Sequence, residues 1–296
     1  RFHRHLGLEL RAVALPRRLH SRPFLQVGMS LTPCPNFRDH LSGVGDEFPI
    51  QAFANRGYFV LSVENHSYEA VVGTKVAPSS ITRAFNTDFA GRKSLLSSIE
   101  TMVRSLVSRG LIDNRRIGIT GLSDGSSTVQ FASLNSSLFS AGSATACCWE
   151  HTQNALLGPT AARGFERNGW PRQIDANPRF WSQISIAQNP ARVSFPLLFQ
   201  ASDDEYIAVL ESYNALVEAG RPVDLYIFPG EHHIKWQPAH RLAVYERNIA
   251  WFDFWLLDRM PTTESGILEA MRWKAMRDRA VSNKDKPIGV ATQPPP

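Results

Sequence analysis

Ser123 lies in Gly121-Leu122-Ser123-Asp124-Gly125, a G-x-S-x-G pentapeptide. Ile117 and Ile119 ahead of it read as a short buried strand, and a helix-compatible run follows over about residues 126–134. Strand, sharp turn and helix in that order form the context a nucleophile elbow requires. The turn is tight, so the residues two before and two after the nucleophile must be small, and Gly121 and Gly125 meet that demand. Ser123 would then stand above the sheet at a helix N-terminus, where the dipole favours a developing negative charge. A Gly/Ser turn with no chemistry is the plain alternative, and two further strand ends weigh against it.

A serine hydroxyl is a poor nucleophile until a base takes its proton. An imidazole suits that task, and a carboxylate on its other nitrogen fixes the tautomer and stabilises the imidazolium. The apolar run 195–201 ends at Asp203 and Asp204, and the run 223–229 ends at His232 and His233. One helix joins the two runs, so their ends should lie side by side. Asp204 is the chosen acid over Asp203, one of the two also being suited to cap the following helix. His233 is the chosen base, with His232 its close rival; His66, His151 and His240 follow no strand end. For the oxyanion, one donor should be the backbone N–H of Asp124. The other should come from residues 33–37, where Pro33 and Pro35 lack an N–H and leave Cys34 or Asn36. This chemistry needs neither a cofactor nor a metal.

The elements that must position these groups follow from periodicity. Leu25, Val27, Met29 and Leu31 alternate as in a strand, and residues 58–63 form a second strand. Helices are expected from Asp46 to about residue 56, over residues 93–111 with Leu95, Ile99, Met102, Val103 and Leu106 on one face, and over 238–257. Residues 139–148 read as a small-residue buried strand. The segment 65–88 reads as loop. Strands alternating with helices give an α/β fold with a mostly parallel sheet, whose reactive groups gather beyond the carboxyl ends of the strands. Residues 149–193 break the pattern, with Trp149, Phe165, Trp170, Phe180 and Trp181 scattered among Gly, Pro and Asn. This is expected to be an insertion rising over the site. The organisation is then a basic N-terminal segment 1–23, poorly ordered; an α/β domain 24–260 with residues 149–193 inserted over the site; and a C-terminal helix with a disordered tail, 261–296.

Composition excludes several classes. The 296 residues are 43% hydrophobic and 20% charged, ordinary for a globular protein, with a net charge of +5. Part of that excess is Arg1, Arg4, Arg11, Arg17, Arg18 and Arg22, set against only Glu9. A basic end without aromatic or helical organisation is a solvated tail and gives no ground for a nucleic-acid partner. No apolar run approaches membrane-spanning length. Cys34, Cys147 and Cys148 make no disulfide framework, and core packing is expected for the adjacent pair. Sparse cysteine leans towards a cytoplasmic location.

The chain order Ser, Asp, His is that of the α/β-hydrolases. Within that fold the sequence resembles the catalytic domain of the prolyl oligopeptidase family of serine peptidases, and several strings are most similar to the lasso-peptide isopeptidases. These are Gly-Val-Gly-Asp-Glu-Phe-Pro-Ile at 43–50, Gly-Leu-Ser-Asp-Gly-Ser-Ser-Thr at 121–128, Cys-Cys-Trp-Glu at 147–150 and Ser-Asp-Asp-Glu-Tyr at 202–206. The most specific is Phe-Pro-Gly-Glu-His-His-Ile-Lys-Trp-Gln-Pro-Ala-His-Arg at 228–241. The similarity covers about residues 36–258. It implies Ser123, Asp204 and His233 as the triad, and a peptide substrate whose macrolactam amide, between the N-terminal amine and an Asp or Glu side chain, is hydrolysed.

Two departures accompany it. Family members carry an N-terminal β-propeller that restricts access to the site, and nothing before residue 24 would form one. Many also take an oxyanion donor from a Tyr after the first strand of this domain, whereas the first Tyr here is Tyr58. Two alternatives therefore stand beside the isopeptidase: a general α/β-hydrolase esterase or aminopeptidase, and an inactive binding relic lacking its propeller.

Overall fold

The computed structural model describes residues 25–27, 50–63, 66–172, 174–175 and 177–284. Six strands form one sheet: β1 (Leu25–Val27), β2 (Leu61–Val63), β3 (Gly118–Leu122), β4 (Ala141–Thr145), β5 (Leu197–Ser202) and β6 (Val223–Phe228). Their spatial order is β2-β1-β3-β4-β5-β6, and each of these pairings is parallel. The expected α/β architecture is thus the one that forms. Parallel strands need crossovers, and the crossover helices cover both faces of the sheet.

Every residue of β3, β4 and β5 is buried. Small residues mark where neighbours press closest. A Cβ on Gly118 would meet the Phe252 ring at 2.6 Å, and one on Gly142 would meet the Phe195 ring at 2.7 Å. Side chains alternate between faces as strand geometry requires. Leu197 and Phe199 join one apolar cluster, and Leu198 joins the other.

The first cluster is capped by α4 (Ala90–Ser108) through Leu95, Ile99 and Val103, by α5 (Asp124–Asn135) through Val129 and Phe131, and by α8 (Ile207–Glu218) through Val209 and Leu216. The second is capped by α1 (Ile50–Asn55), by α9 (Pro238–Leu257) and by α10 (Glu264–Lys284). Phe53, Trp251, Phe252 and Trp273 are fully buried there, each contributing on the order of 2–3 kcal/mol. Trp273 also donates its indole N–H to Asp224 at 2.6 Å, which pins α10 to β6. Asn248 on α9 accepts from Ser143 on β4 at 2.5 Å and from Gln200 on β5 at 3.2 Å, so its buried amide oxygen is satisfied from two strands.

Two local expectations change. Residues 65–88 hold two short helices rather than loop alone: α2 (Tyr68–Val72), capped by the Ser67 hydroxyl on Ala70 N–H, and α3 (Ile81–Asn86). Each is too short to announce itself by periodicity, and they rest on tertiary packing, Tyr68 against Phe85 at 4.6 Å. Cys147 and Cys148 are buried as core packing requires, yet a disulfide joins them to each other. The peptide bond between the two residues is cis. Residues 149–193 contain α6 (Gln153–Arg167) and α7 (Pro178–Ile184). Their aromatics form one cluster: Trp170 lies within 6.2 Å, centroid to centroid, of Phe89, Trp149, Phe165, Phe180 and Trp181.

Candidate active site

The elbow follows from three local demands. Ser123 joins β3 directly to α5 with φ 57° and ψ −120°, a left-handed conformation that a non-glycine residue holds only under constraint, at a cost of about 1–3 kcal/mol. The constraint is visible. Ser123 N–H donates to the Thr145 carbonyl on β4 at 3.1 Å, while its own carbonyl accepts from Ser126 N–H at 3.0 Å and lies 2.5 Å from the Ser126 hydroxyl. The turn is so tight that a Cβ on Gly121 would fall onto the carbonyl group of Gly125 and 2.8 Å from its Cα. Asp124 opens α5, so its N–H belongs to the first turn of the helix.

Beside the elbow lies a cavity of about 300 Å³. Ser123, Asp124 and Arg92 line it together with aromatic side chains, among them Tyr68, Trp149 and Trp170. The insertion thus contributes Trp149 and Trp170 to its wall, and the segment expected to be loop contributes Tyr68. Glu150 holds the insertion in place. Its buried carboxylate accepts from Ile186 N–H at 2.9 Å, Ala187 N–H at 3.1 Å and the Ser212 hydroxyl at 2.6 Å, and also from the Ser185 hydroxyl. Burial pushes its pKa up to about 7, against the Ser185 and Ser212 hydrogen bonds, which pull it down.

The parallel register sets Ser202 opposite Phe228, so the chain leaves β5 and β6 at the same edge. Each of the three acids after Ser202 then finds its own partner. Asp203 accepts from Gly230 N–H at 2.6 Å and Glu231 N–H at 3.3 Å, which fixes the turn after β6. Asp204 lies 2.9 Å from His232 Nδ1 and accepts from the Ser202 hydroxyl at 2.5 Å. Glu205 lies 2.6 Å from His233 Nδ1. The expectation from sequence pairs Asp204 with His233; in the structure the carboxylate on His233 is Glu205, and Asp204 sits on His232. The reason is register: two successive acids face two successive histidines in step. Neither Asp203 nor Asp204 caps α8, which begins after Tyr206 with no side-chain cap.

The two imidazole–carboxylate couples differ in setting. His232 and Asp204 are 72% and 48% exposed, and His233 and Glu205 are 43% and 31% exposed. The Ser202 hydrogen bond, followed by His232, holds the Asp204 carboxyl below its usual range, and Asp204 in turn raises His232.

The loop bearing the histidines is gripped from below. Glu231 is buried and accepts from Trp236 N–H at 2.7 Å and Gln237 N–H at 2.9 Å, with His240 Nδ1 at 2.9 Å. Burial pushes its carboxyl up, yet these donors hold it below the usual range. Buried Lys235 donates to the His233 carbonyl at 3.2 Å. His66 meets the Ser94 hydroxyl, and His151 lies against the Trp181 ring.

Asn36, the expected second oxyanion donor, lies outside the described residues. Sequence reasoning missed Glu205, although its neighbours in Ser-Asp-Asp-Glu-Tyr were singled out, and missed Arg92 entirely. Among the described residues, no group of three or more His, Cys, Asp or Glu side chains is arranged to hold a metal, and no helix is long and apolar enough to cross a membrane.

Comparison with known proteins gives the family. The model of the prolyl oligopeptidase family matches residues 89–259. A curated relative, the lasso peptide isopeptidase AtxE2 of Asticcacaulis excentricus, is 40% identical over 237 residues, which is 79% of this chain and 34% of that protein. The chain therefore spans about a third of the length of the curated relative it matches. A structure of an AtxE2 isopeptidase variant with Astexin3-dC4 bound is similar with a TM-score of 0.82 at 33% identity, covering 93% of this chain and 44% of that one. Acylaminoacyl peptidase of Pyrococcus horikoshii shares the fold, with a TM-score of 0.63 at 19% identity over 88% of this chain and 44% of its own. The fold is that of the α/β-hydrolases, and the chain belongs to the prolyl oligopeptidase family.

Proposed function

We propose that this chain is the catalytic part of a serine peptidase that opens an isopeptide bond, with a lasso peptide as its substrate. Ser123 is the nucleophile, His233 the base, and Glu205 the carboxylate that orients it in place of Asp204. The observation that carries the reading is the strained backbone of Ser123 at the junction of β3 and α5. Strain of this kind is retained where it exposes a reacting group, which favours an enzyme over a binding relic. The substrate class rests on the likeness to the lasso peptide isopeptidase.

The steps follow from the groups. His233 Nε2 takes the Ser123 hydroxyl proton as the oxygen attacks the side-chain carbonyl of the isopeptide bond. Glu205 on Nδ1 favours the tautomer whose Nε2 carries the lone pair that accepts that proton, and stabilises the imidazolium that forms. The tetrahedral oxyanion is received by the Asp124 N–H and by a second donor from residues 33–37, for which Asn36 is the proposed residue. Collapse breaks the carbon–nitrogen bond, and the imidazolium gives its proton to the departing N-terminal amine. Water then repeats the sequence on the acyl-serine and releases the carboxylate.

Incubation with a lasso peptide and mass analysis of the product tests the reading. A linear peptide heavier by one water, formed by the native chain and not by Ser123→Ala, is the expected result. Turnover of simple esters and dipeptides with the lasso peptide left threaded would instead assign a general esterase or aminopeptidase.

A further inference from the structure

Arg92 is the third residue of α4, 32 positions before Asp124 in sequence, yet its guanidinium holds that residue at two points. Nη1 donates to the Asp124 main-chain carbonyl at 3.0 Å and to the Thr128 hydroxyl at 2.8 Å, and Nη2 pairs with the Asp124 carboxylate. The side chains are only 17% and 27% exposed. Burial lowers the Arg92 pKa to about 10, which still leaves it charged at neutral pH.

The start of α4 is itself held firmly. Asp88 and Phe89, the two residues before it, both adopt left-handed backbone, with φ 51° and 56°. Phe89 is buried against Phe131 of α5 at 5.6 Å and Phe180 of α7 at 4.6 Å. Two consecutive strained residues persist only where packing determines them from several sides. Here the result is a guanidinium delivered to the residue that follows the nucleophile.

We propose that Arg92 is a positioning residue for the oxyanion donor: by gripping both the carboxylate and the carbonyl of Asp124, it fixes the direction of the Asp124 N–H. The proposal rests on the reading of Ser123 as nucleophile. A planar fork with several donors makes such a two-point grip, and a lysine ammonium carries the charge without the fork. An oxyanion donor is effective because it is aimed before charge develops, so freeing the residue that carries it reduces kcat while ground-state binding is kept.

The test is steady-state kinetics on a peptide substrate, with thermal melting to verify folding. Arg92→Met is expected to lower kcat by about 100-fold, the scale of a lost oxyanion donor, with KM changed less than about threefold. Arg92→Lys, which keeps the charge and is the fallback should the methionine variant fail to fold, should still lower kcat by about tenfold. Asp124→Asn should lower kcat too, and the double variant Arg92→Met with Asp124→Asn should be no slower than Arg92→Met alone, because both act through the placement of one residue. A native kcat in the arginine variants, a raised KM at constant kcat, or full additivity in the double variant would each overturn the proposal. Activity persisting in Ser123→Ala would sink the nucleophile assignment instead, so the two failures are distinct.

Discussion

Replacing Glu205 with Gln and Asp204 with Asn separates the two imidazole–carboxylate couples. Each change keeps shape and removes charge. The Glu205 oxygen lies 2.6 Å from His233 Nδ1, a charge-assisted distance. Loss of the orienting carboxylate in a serine triad lowers kcat by about 10⁴-fold where that group is buried. Glu205 is 31% exposed, and water screens part of its field, so about 10³-fold is the expected loss, or some 4 kcal/mol of barrier. The Asp204–His232 couple is far more open, and exposed pairs of this kind are worth about 1 kcal/mol or less, so Asp204→Asn should change kcat by no more than about fivefold. The assay is the rate of peptide hydrolysis at saturating substrate, with circular dichroism to verify folding. A large loss in Asp204→Asn, with Glu205→Gln near native, would refute the reasoning and restore the pairing expected from sequence.

Two further outcomes follow. Gly121→Ala should abolish activity and destabilise the fold by about 1–3 kcal/mol, since the new methyl group meets the backbone of Gly125, which cannot rotate away; a native melting temperature would contradict the tight elbow. Glu150 is raised to about 7 by burial, so its protonated form is favoured in the folded state, and stability should fall as pH rises from its unfolded pKa near 4.3 through 7, by at most about 4 kcal/mol. Denaturant melts at several pH values should show that slope in the native chain and lose it in Glu150→Gln.

What was legible in the sequence was what short-range sterics dictate. Gly121 and Gly125 are readable because a strained serine needs small residues at fixed offsets. The run that became β5 is readable because a fully buried strand is largely apolar, and the run that became β6 from its Val, Leu, Tyr, Ile and Phe. The 20 residues of α9 are readable from their length and from Pro238, which starts them. The remaining features depend on contacts between distant segments. Three consecutive acids follow Ser202, and only the Ser202–Phe228 register decides which of them meets which histidine. Nothing near Arg92 in sequence marks it, because its partner lies on another helix. The helices α2 and α3 are stabilised by neighbours rather than by their own periodicity.

Covalent labelling with a fluorophosphonate, followed by peptide mapping, tests the central claim most directly. The account predicts one adduct per chain, on the Ser123 hydroxyl, slowed by orders of magnitude in His233→Ala and Glu205→Gln and absent in Ser123→Ala. Labelling elsewhere, or equal labelling of folded native and Ser123→Ala chains, would contradict it.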